Sequence, residues 1–468
     1  MATARHWVGI TLGRAPVAND AQRRLAGVAR GATTALVARG VGVLVALALV
    51  PISIGYVGPE SYGAWMTIGS CLAWLQMADL GVGNGLTNAI GEARGKRDDA
   101  LVRRHVATAF WVLGGIAAAL AIAFFSAWPS VDWAALFNVH DPVARREVGG
   151  AVAVATGLFL AAFPLSIVDR IYAAHDEGAI ANAWSIVGSV ATLLVVVLVA
   201  RTGAGLVGIV AAAAGTPALA TLASAAWLVS RHRPSLRPGA RHVTRASARR
   251  IASEAAQFFV VQIIAVVMFS TDNVIIARVL GADRVTPYSV AWRLFALPAL
   301  FVSLYAPYLQ PAYAAARARG DASWIAQTLK LTLVATGAVT VAITVPLVLF
   351  GQPIIRAWAG AAAVPTRPLL LWMGAGALVL APAGALGCML NGLGRLRIQM
   401  VFGAVAAVVN VALSIALARP HGVTGVMAAT VISYLACIAI PVSLDAARGL
   451  QAIRLGAREE ARGSEARA

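Results

Sequence analysis

Apolar residues run in long stretches from about Ala32 to Ser443, and Arg and Lys collect in every second gap between them. A helix needs about 20 mostly apolar residues to cross a hydrocarbon core of about 30 Å. Twelve windows of that kind fit the chain, at 32–54, 61–79, 106–128, 149–172, 180–200, 206–229, 256–279, 287–310, 328–350, 368–390, 398–418 and 423–443. The pattern predicts an all-α polytopic membrane protein, because helices satisfy their own backbone groups in lipid.

Composition agrees: 59% of the 468 residues are hydrophobic and 12% charged, and the mean hydropathy is +0.77. Of the 38 Lys and Arg, 26 fall in the terminal segments and the gaps on their side. Seven (Arg145, Arg146, Arg201, Arg284, Arg356, Arg367, Arg419) fall in the opposite gaps, and five (Arg39, Arg170, Arg278, Arg293, Lys330) within or at the ends of spans. Positive loops stay in the cytoplasm, so both termini are expected inside. The net charge of +18 is spread over short loops and two tails and offers no continuous face for nucleic acid. Residues 1–30 are mixed and basic and do not read as a cleaved signal peptide. Cys71, Cys388 and Cys437 all fall in spans without a CxxC pair, which suggests packing rather than a disulfide framework or a zinc site.

The chain repeats itself. Ala89-Ile-Gly-Glu-Ala-Arg94-Gly-Lys96-Arg-Asp98 after the second span matches Ala312-Tyr-Ala-Ala-Ala-Arg317-Ala-Arg319-Gly-Asp321 after the eighth. Gly205-Leu-Val-Gly208 opening the sixth span matches Gly422-Val-Thr-Gly425 opening the twelfth, and Gly58 before Tyr62 and Trp65 matches Gly281 before Tyr288 and Trp292. Each half therefore holds six spans and starts on the same side, as parallel repeats do, with substrate expected between them. The expected organisation is a cytoplasmic tail 1–30, a six-helix bundle 31–230, a basic cytoplasmic hinge or linker 231–254, a second bundle 255–444 and a tail 445–468. Internal prolines, among them Pro51, Pro164, Pro298, Pro307 and Pro382, suit helices that bend.

Charges near the bilayer centre are costly and are functional candidates by default. Arg39 sits about a third of the way along the first span, where it either faces a cavity as an anion site or snorkels to the headgroups. Asp272 lies in Ser270-Thr271-Asp272-Asn273 within the seventh span, as a site for a coupling proton or sodium ion or as the neutraliser of Arg293. Arg293, in the eighth span, binds a phosphate from the cavity or partners Asp272. Arg278 lies at the outer membrane edge, where Arg is cheap, and ranks below these. Lys330, Asp79 and the Asp169-Arg170 pair sit at cytoplasmic helix ends, as headgroup contacts or local ion pairs. Gly203-Ala-Gly205-Leu-Val-Gly208 matches a dinucleotide fingerprint but lacks a βαβ unit. His175-Asp176-Glu177 has no second cluster to complete a metal site. No cofactor is implied, no catalytic motif occurs, and the outer gaps leave little room for a glycosyl polymerase, so enzymatic function is not expected.

Tyr56-Val-Gly58-Pro59-Glu60-Ser-Tyr62-Gly63-Ala-Trp65, Asp79-Leu-Gly81-Val-Gly83, and Asp272 through Ala277-Arg278-Val-Leu-Gly281 into Tyr288-Ser-Val-Ala-Trp-Arg293-Leu resemble the polysaccharide transporter family. That family comprises flippases for lipid-linked oligosaccharides such as O-antigen units, within the multidrug/oligosaccharidyl-lipid/polysaccharide exporter superfamily. The resemblance implies a MATE-like, V-shaped pair of six-helix bundles in the bacterial cytoplasmic membrane. Its substrate is an undecaprenyl-pyrophosphate-linked O-antigen, capsule or exopolysaccharide unit, flipped to the outer leaflet by alternating access. The expected partners are that glycan, membrane lipids, H+ or Na+ as coupling ion, and glycan polymerase machinery. Arg39 and Arg293, with Arg278 behind them, are the expected pyrophosphate ligands, since Arg offers fixed donors to phosphate. One departure is Gly55, which stands where the second half has Arg278. The alternatives are an ion-coupled multidrug or cation antiporter of the same superfamily, marked by an acid in the first bundle, and a non-transporting scaffold for glycan assembly.

Overall fold

The computed structural model describes the backbone of residues 20–449 and 451, and the side chains of residues 33–449 and 451 except 254–258, 260, 261, 396 and 450. The expected tails 1–30 and 445–468 lie mostly outside the described residues. Among the described residues there are helices and no strand. In chain order the helices are α1 (Asp20–Gln76), α2 (Val82–Gly95), α3 (Asp99–Ala127), α4 (Trp133–Leu136), α5 (Pro142–Ala162), α6 (Ile167–Ala174) and α7 (Gly178–Val199). They continue as α8 (Gly205–Trp227), α9 (Arg245–Leu280), α10 (Ala282–Phe295), α11 (Leu297–Ala318), α12 (Ala322–Ala359), α13 (Arg367–Gly392) and α14 (Leu396–Tyr434).

Nine runs among the described residues are long and apolar enough to cross a membrane, or ten with the bent pair α10 and α11. Two of them are too long for one crossing. Thr33–Gly95 has 63 residues and Arg397–Gly449 has 53, about 95 and 80 Å at 1.5 Å per residue against a core of about 30 Å. Each contains a glycine with non-helical dihedrals, Gly58 (φ 81°, ψ 167°) and Gly422 (φ 60°, ψ −146°). Counting two passes on either side of each glycine gives the expected twelve. Lipid is the solvent of the outer faces, where Leu44, Ile122, Leu198, Leu331 and Val408 are exposed.

Two helices differ from expectation. The eighth span, expected as one helix over 287–310, is a pair that bends by 43° between Phe295 and Leu297. Pro298 is the cause: it has no N–H to give Leu294 and crowds the preceding turn. The fourth span, expected as one helix over 149–172, carries a tighter turn at Phe163–Ser166, around Pro164. The ninth, expected at 328–350, runs the full length of α12 despite Pro346 and Pro353.

The chain divides into two compact units. The first comprises 1–136 and 140–262, and the second 137–139 and 263–468. The first unit's core is built on Leu86, Ile90, Val106, Leu113, Ile171 and Tyr172, and the second has a cluster around Tyr313, Ile325, Met389 and Leu390.

The repeat seen in sequence is also a repeat of conformation. Gly58 and Gly281 both take a positive φ, as do Gly205 and Gly422. Arg97 and Gly320, at matching positions, share the left-handed conformation that glycine adopts most easily. Asp98 caps α3 by accepting from Leu101 N–H, and Asp321 caps α12 by accepting from Trp324 N–H. Arg94 donates to the carbonyl of Ala174 at the end of α6, and Arg317 to the carbonyl of Leu393 just past α13.

The basic segment expected as a hinge is folded against the first unit. Arg233 Nη2 donates to Glu177 Oε1 at 2.6 Å, and His232 Nε2 lies 3.0 Å from Glu177 Oε2. The His232 ring stacks on Trp227, 4.6 Å between centroids. Trp111 donates to the Pro238 carbonyl at 3.0 Å, Thr244 N–H to the Thr108 hydroxyl at 3.2 Å, and Arg250 to Glu92 at 2.8 Å.

Candidate functional site

The four residues predicted from sequence divide between the units: Arg39 lies in the first, and Asp272, Arg278 and Arg293 in the second. Arg39 is exposed on α1, three residues before Gly42. Gly42 begins the α1 stretch that lines a cavity of about 300 Å³ within the first unit. The rest of its wall comes from α6, α7 and α8, which bring Asp169, Trp184, Ser185, Ser189 and Thr221 to it. Hydroxyls so placed have water rather than lipid as their neighbour, because a polar group facing hydrocarbon costs several kcal/mol. Asp169 was expected at a helix end as a headgroup contact or ion pair; it is part of this wall.

Its neighbour Arg170 turns elsewhere, donating to Asn84 Oδ1 at 2.9 Å. Beside it, Asp79 accepts from Gly83 N–H at 3.1 Å in the first turn of α2, where a carboxylate suits the helix dipole. Lys330 is exposed on α12. The three residues dismissed as metal ligands are each engaged: His175 Nδ1 lies 2.8 Å from the Ile171 carbonyl, Asp176 pairs with Arg94 at 3.3 Å, and Glu177 holds Arg233.

In the second unit Asp272 is 2% exposed. Tyr288 donates to its Oδ2 at 2.5 Å and Thr430 to the same oxygen at 3.1 Å. Asn410 Nδ2 in turn donates to Thr430 Oγ1 at 2.9 Å. Tyr288 reaches across from α10, while Asn410 and Thr430 are both on α14, before and after its break at Gly422. Three oxygens on this cluster's residues and one turn beyond, Asp272 Oδ1, Asn410 Oδ1 and Ser414 Oγ, are buried and have no hydrogen-bond partner. Unpartnered buried oxygens are uncommon and call for a proton or a cation. Asp272 thus takes its hydrogen bonds from hydroxyls of α10 and α14. Arg293 is half-buried in the last turn of α10, beside the bend at Ala296, and Arg278 is exposed near the end of α9.

Tyr288, Asn410, Ser414 and Thr430 were not singled out in the sequence. The signal was there for three of them, since Asn410, Ser414 and Thr430 interrupt apolar spans and polar residues at that depth are unusual. What the sequence withheld was their meeting with a carboxylate more than 130 positions away.

Residues 56–362 match a family described as polysaccharide biosynthesis protein. Three solved structures share the fold. A multidrug resistance MATE family transporter of the MOP superfamily, in an inward-facing conformation, is 16% identical over 88% of this chain and 95% of its own, with a TM-score of 0.75. The lipid II flippase MurJ, in an inward closed conformation, is 13% identical over 91% and 90%, with a TM-score of 0.69. A MOP superfamily transporter from Pyrococcus furiosus, described by the reversed polarity of its binding pocket, is 16% identical over 92% and 97%, with a TM-score of 0.65. Among curated proteins, none matches the chain at a significant level.

Proposed function

The chain belongs to the polysaccharide biosynthesis protein family, and we propose that it flips an undecaprenyl-pyrophosphate-linked oligosaccharide from the inner to the outer leaflet of the bacterial cytoplasmic membrane. The observation that carries this reading is the cavity of the first unit. It sets Ser185, Ser189, Thr221, Asp169 and Trp184 inside a membrane bundle, and sugars cross lipid only where hydroxyls and an aromatic face replace water. Arg39 and Arg293 supply cationic positions for the pyrophosphate, with Arg278 in reserve. The loops rich in Arg and Lys, and both termini, face the cytoplasm. No bond is made or broken, so the work is positioning and alternating access.

The Asp272 cluster is the coupling site in this scheme. A carboxylate with one satisfied and one bare oxygen, next to Asn410 Oδ1 and Ser414 Oγ, takes a proton or a sodium ion, and an ion gradient drives the cycle. The exported unit, of O-antigen, capsule or exopolysaccharide type, then passes to glycan polymerase machinery.

Asp169 in the first-unit cavity favours one other reading, an ion-coupled antiporter of organic cations, because a carboxylate there attracts a positive substrate. A leaflet assay separates the two. Protein in liposomes with lipid-linked oligosaccharide exposes the glycan to an impermeant sugar-modifying reagent, and Arg39→Ala abolishes the gain. No gain over empty liposomes with folded protein and an ion gradient, together with transport of an organic cation that Asp169→Asn stops, overturns the flippase in favour of the antiporter.

A further inference from the structure

Two cavities of opposite polarity lie end to end in the first unit, both walled by α3 and the start of α9. The first, about 310 Å³, is lined by Glu92, Arg104, His105, Thr244, Ser247 and Arg250 among others. The second, about 390 Å³, is lined by Leu80, Val82, Val112, Ile116, Ile251 and Phe259, with Thr108 as one of its few polar groups. They join where Thr244 of the first donates its N–H to Thr108 of the second at 3.2 Å. Arg104, His105, Thr108, Val112 and Ile116 follow at spacings of one to four residues along one side of α3, so the groove runs about 18 Å from charge to hydrocarbon.

The polar cavity lacks something. His105 is 4% exposed and its Nδ1 has no hydrogen-bond partner, although buried polar atoms are nearly always partnered. Arg104 is exposed beside it, and Arg250 shares Glu92 with Lys96. Ser247 N–H is held by Thr244 Oγ1 at 3.2 Å at the start of α9, an end that carries partial positive charge.

We propose that this groove binds one anionic phospholipid of the leaflet on the linker side, with its phosphodiester between Arg104, Arg250 and His105 and an acyl chain against Val112, Ile116 and Phe259. The charge fits a phosphodiester, and the apolar arm fits a hydrocarbon chain that a soluble anion lacks. The polar arm accommodates a phosphodiester and glycerol, not a pyrophosphate bearing several sugars. The lipid ties α3 to the start of α9, a role separate from transport.

The test uses the full chain, stripped of lipid in detergent and titrated with phosphatidylglycerol or phosphatidylcholine while bound lipid is counted by native mass spectrometry. Phosphatidylglycerol is retained preferentially, and Arg104→Gln and Arg250→Gln each lower its retention about fivefold, as about 1 kcal/mol per basic residue at an anionic surface implies. Val112→Trp fills the apolar arm, leaves every charge in place and lowers retention of phosphatidylglycerol as well; it serves where an arginine variant fails to fold. Equal retention of the two lipids, retention indifferent to all three variants, or glycerol phosphate binding as tightly as the lipid overturns the proposal. Polyprenyl phosphate displacing phosphatidylglycerol at equal concentration also overturns it and assigns the groove to substrate. None of these readouts depends on flipping, so failure here and failure of the flippase reading are distinguishable.

Discussion

The Tyr288 hydroxyl donates to Asp272 over 2.5 Å, linking α10 to α9 inside the second unit. A buried carboxylate that loses a donor pays the desolvation of that oxygen, about 1–3 kcal/mol or more for a charged group. Tyr288→Phe is therefore expected to lower the unfolding temperature in detergent, while Asp272→Asn, which keeps a carbonyl oxygen as acceptor, is expected to fold and to lose the response of transport to an imposed H+ or Na+ gradient. A variant whose transport still follows the gradient removes Asp272 from coupling.

Arg94 and Arg317 make the same bond in the two repeats, each to a backbone carbonyl at the end of a helix two spans later. Arg94→Ala and Arg317→Ala are expected to cost similar amounts, about 1–3 kcal/mol for a carbonyl left without its charged donor. Thermal unfolding of the two variants side by side checks this; a large effect in one and none in the other breaks the functional equivalence of the repeats.

Glu177 supplies a pH dependence. Its partial burial pushes the carboxyl up, but hydrogen bonds from Arg233 and His232 outweigh this and hold it below the usual carboxylate range. Its contribution to linker attachment is thus complete above the unfolded value of about 4.3 and is lost as pH falls through the lower folded value. Limited proteolysis of residues 233–245 is expected to accelerate in that acidic window, and Glu177→Gln to show the faster cleavage already at pH 7. Cleavage that stays slow in the variant refutes the clamp.

Gly205 and Gly58 both take a positive φ, yet their surroundings differ. A Cβ at Gly205 collides with the Glu147 carboxylate, whereas one at Gly58 meets nothing within 4 Å. Gly58→Ala is expected to cost backbone strain alone, about 1–3 kcal/mol, and Gly205→Ala more, because Glu147 also accepts from Leu206 N–H. Equal losses in the melting temperature of the two variants contradict this.

What was legible in the sequence is what depends on local pattern. Spans are set by length and hydropathy, and the repeat by matched Gly, Arg and Asp, and both reappear as helices, caps and turns. The bend at Ala296 was hidden because Pro298 is one of several prolines, and Pro346 sits inside α12 without ending it. The oxygens around Asp272 were hidden because Thr430 is 158 residues away. The linker's arginines spoke for orientation, and only the position of Glu177 showed that Arg233 is also a structural tie.

The linker's attachment has a consequence for biosynthesis. The sixth span ends near His232, but the first unit's bonds to Pro238, Thr244 and Arg250 form only once that segment has left the ribosome. Since chains fold from the N-terminal unit as they are made, the first bundle waits, inserted yet unfinished, for a stretch that never enters the bilayer. A truncation after the sixth span would therefore yield inserted helices without their fastening, and a translational pause near residue 260 would let the first unit close before the second begins.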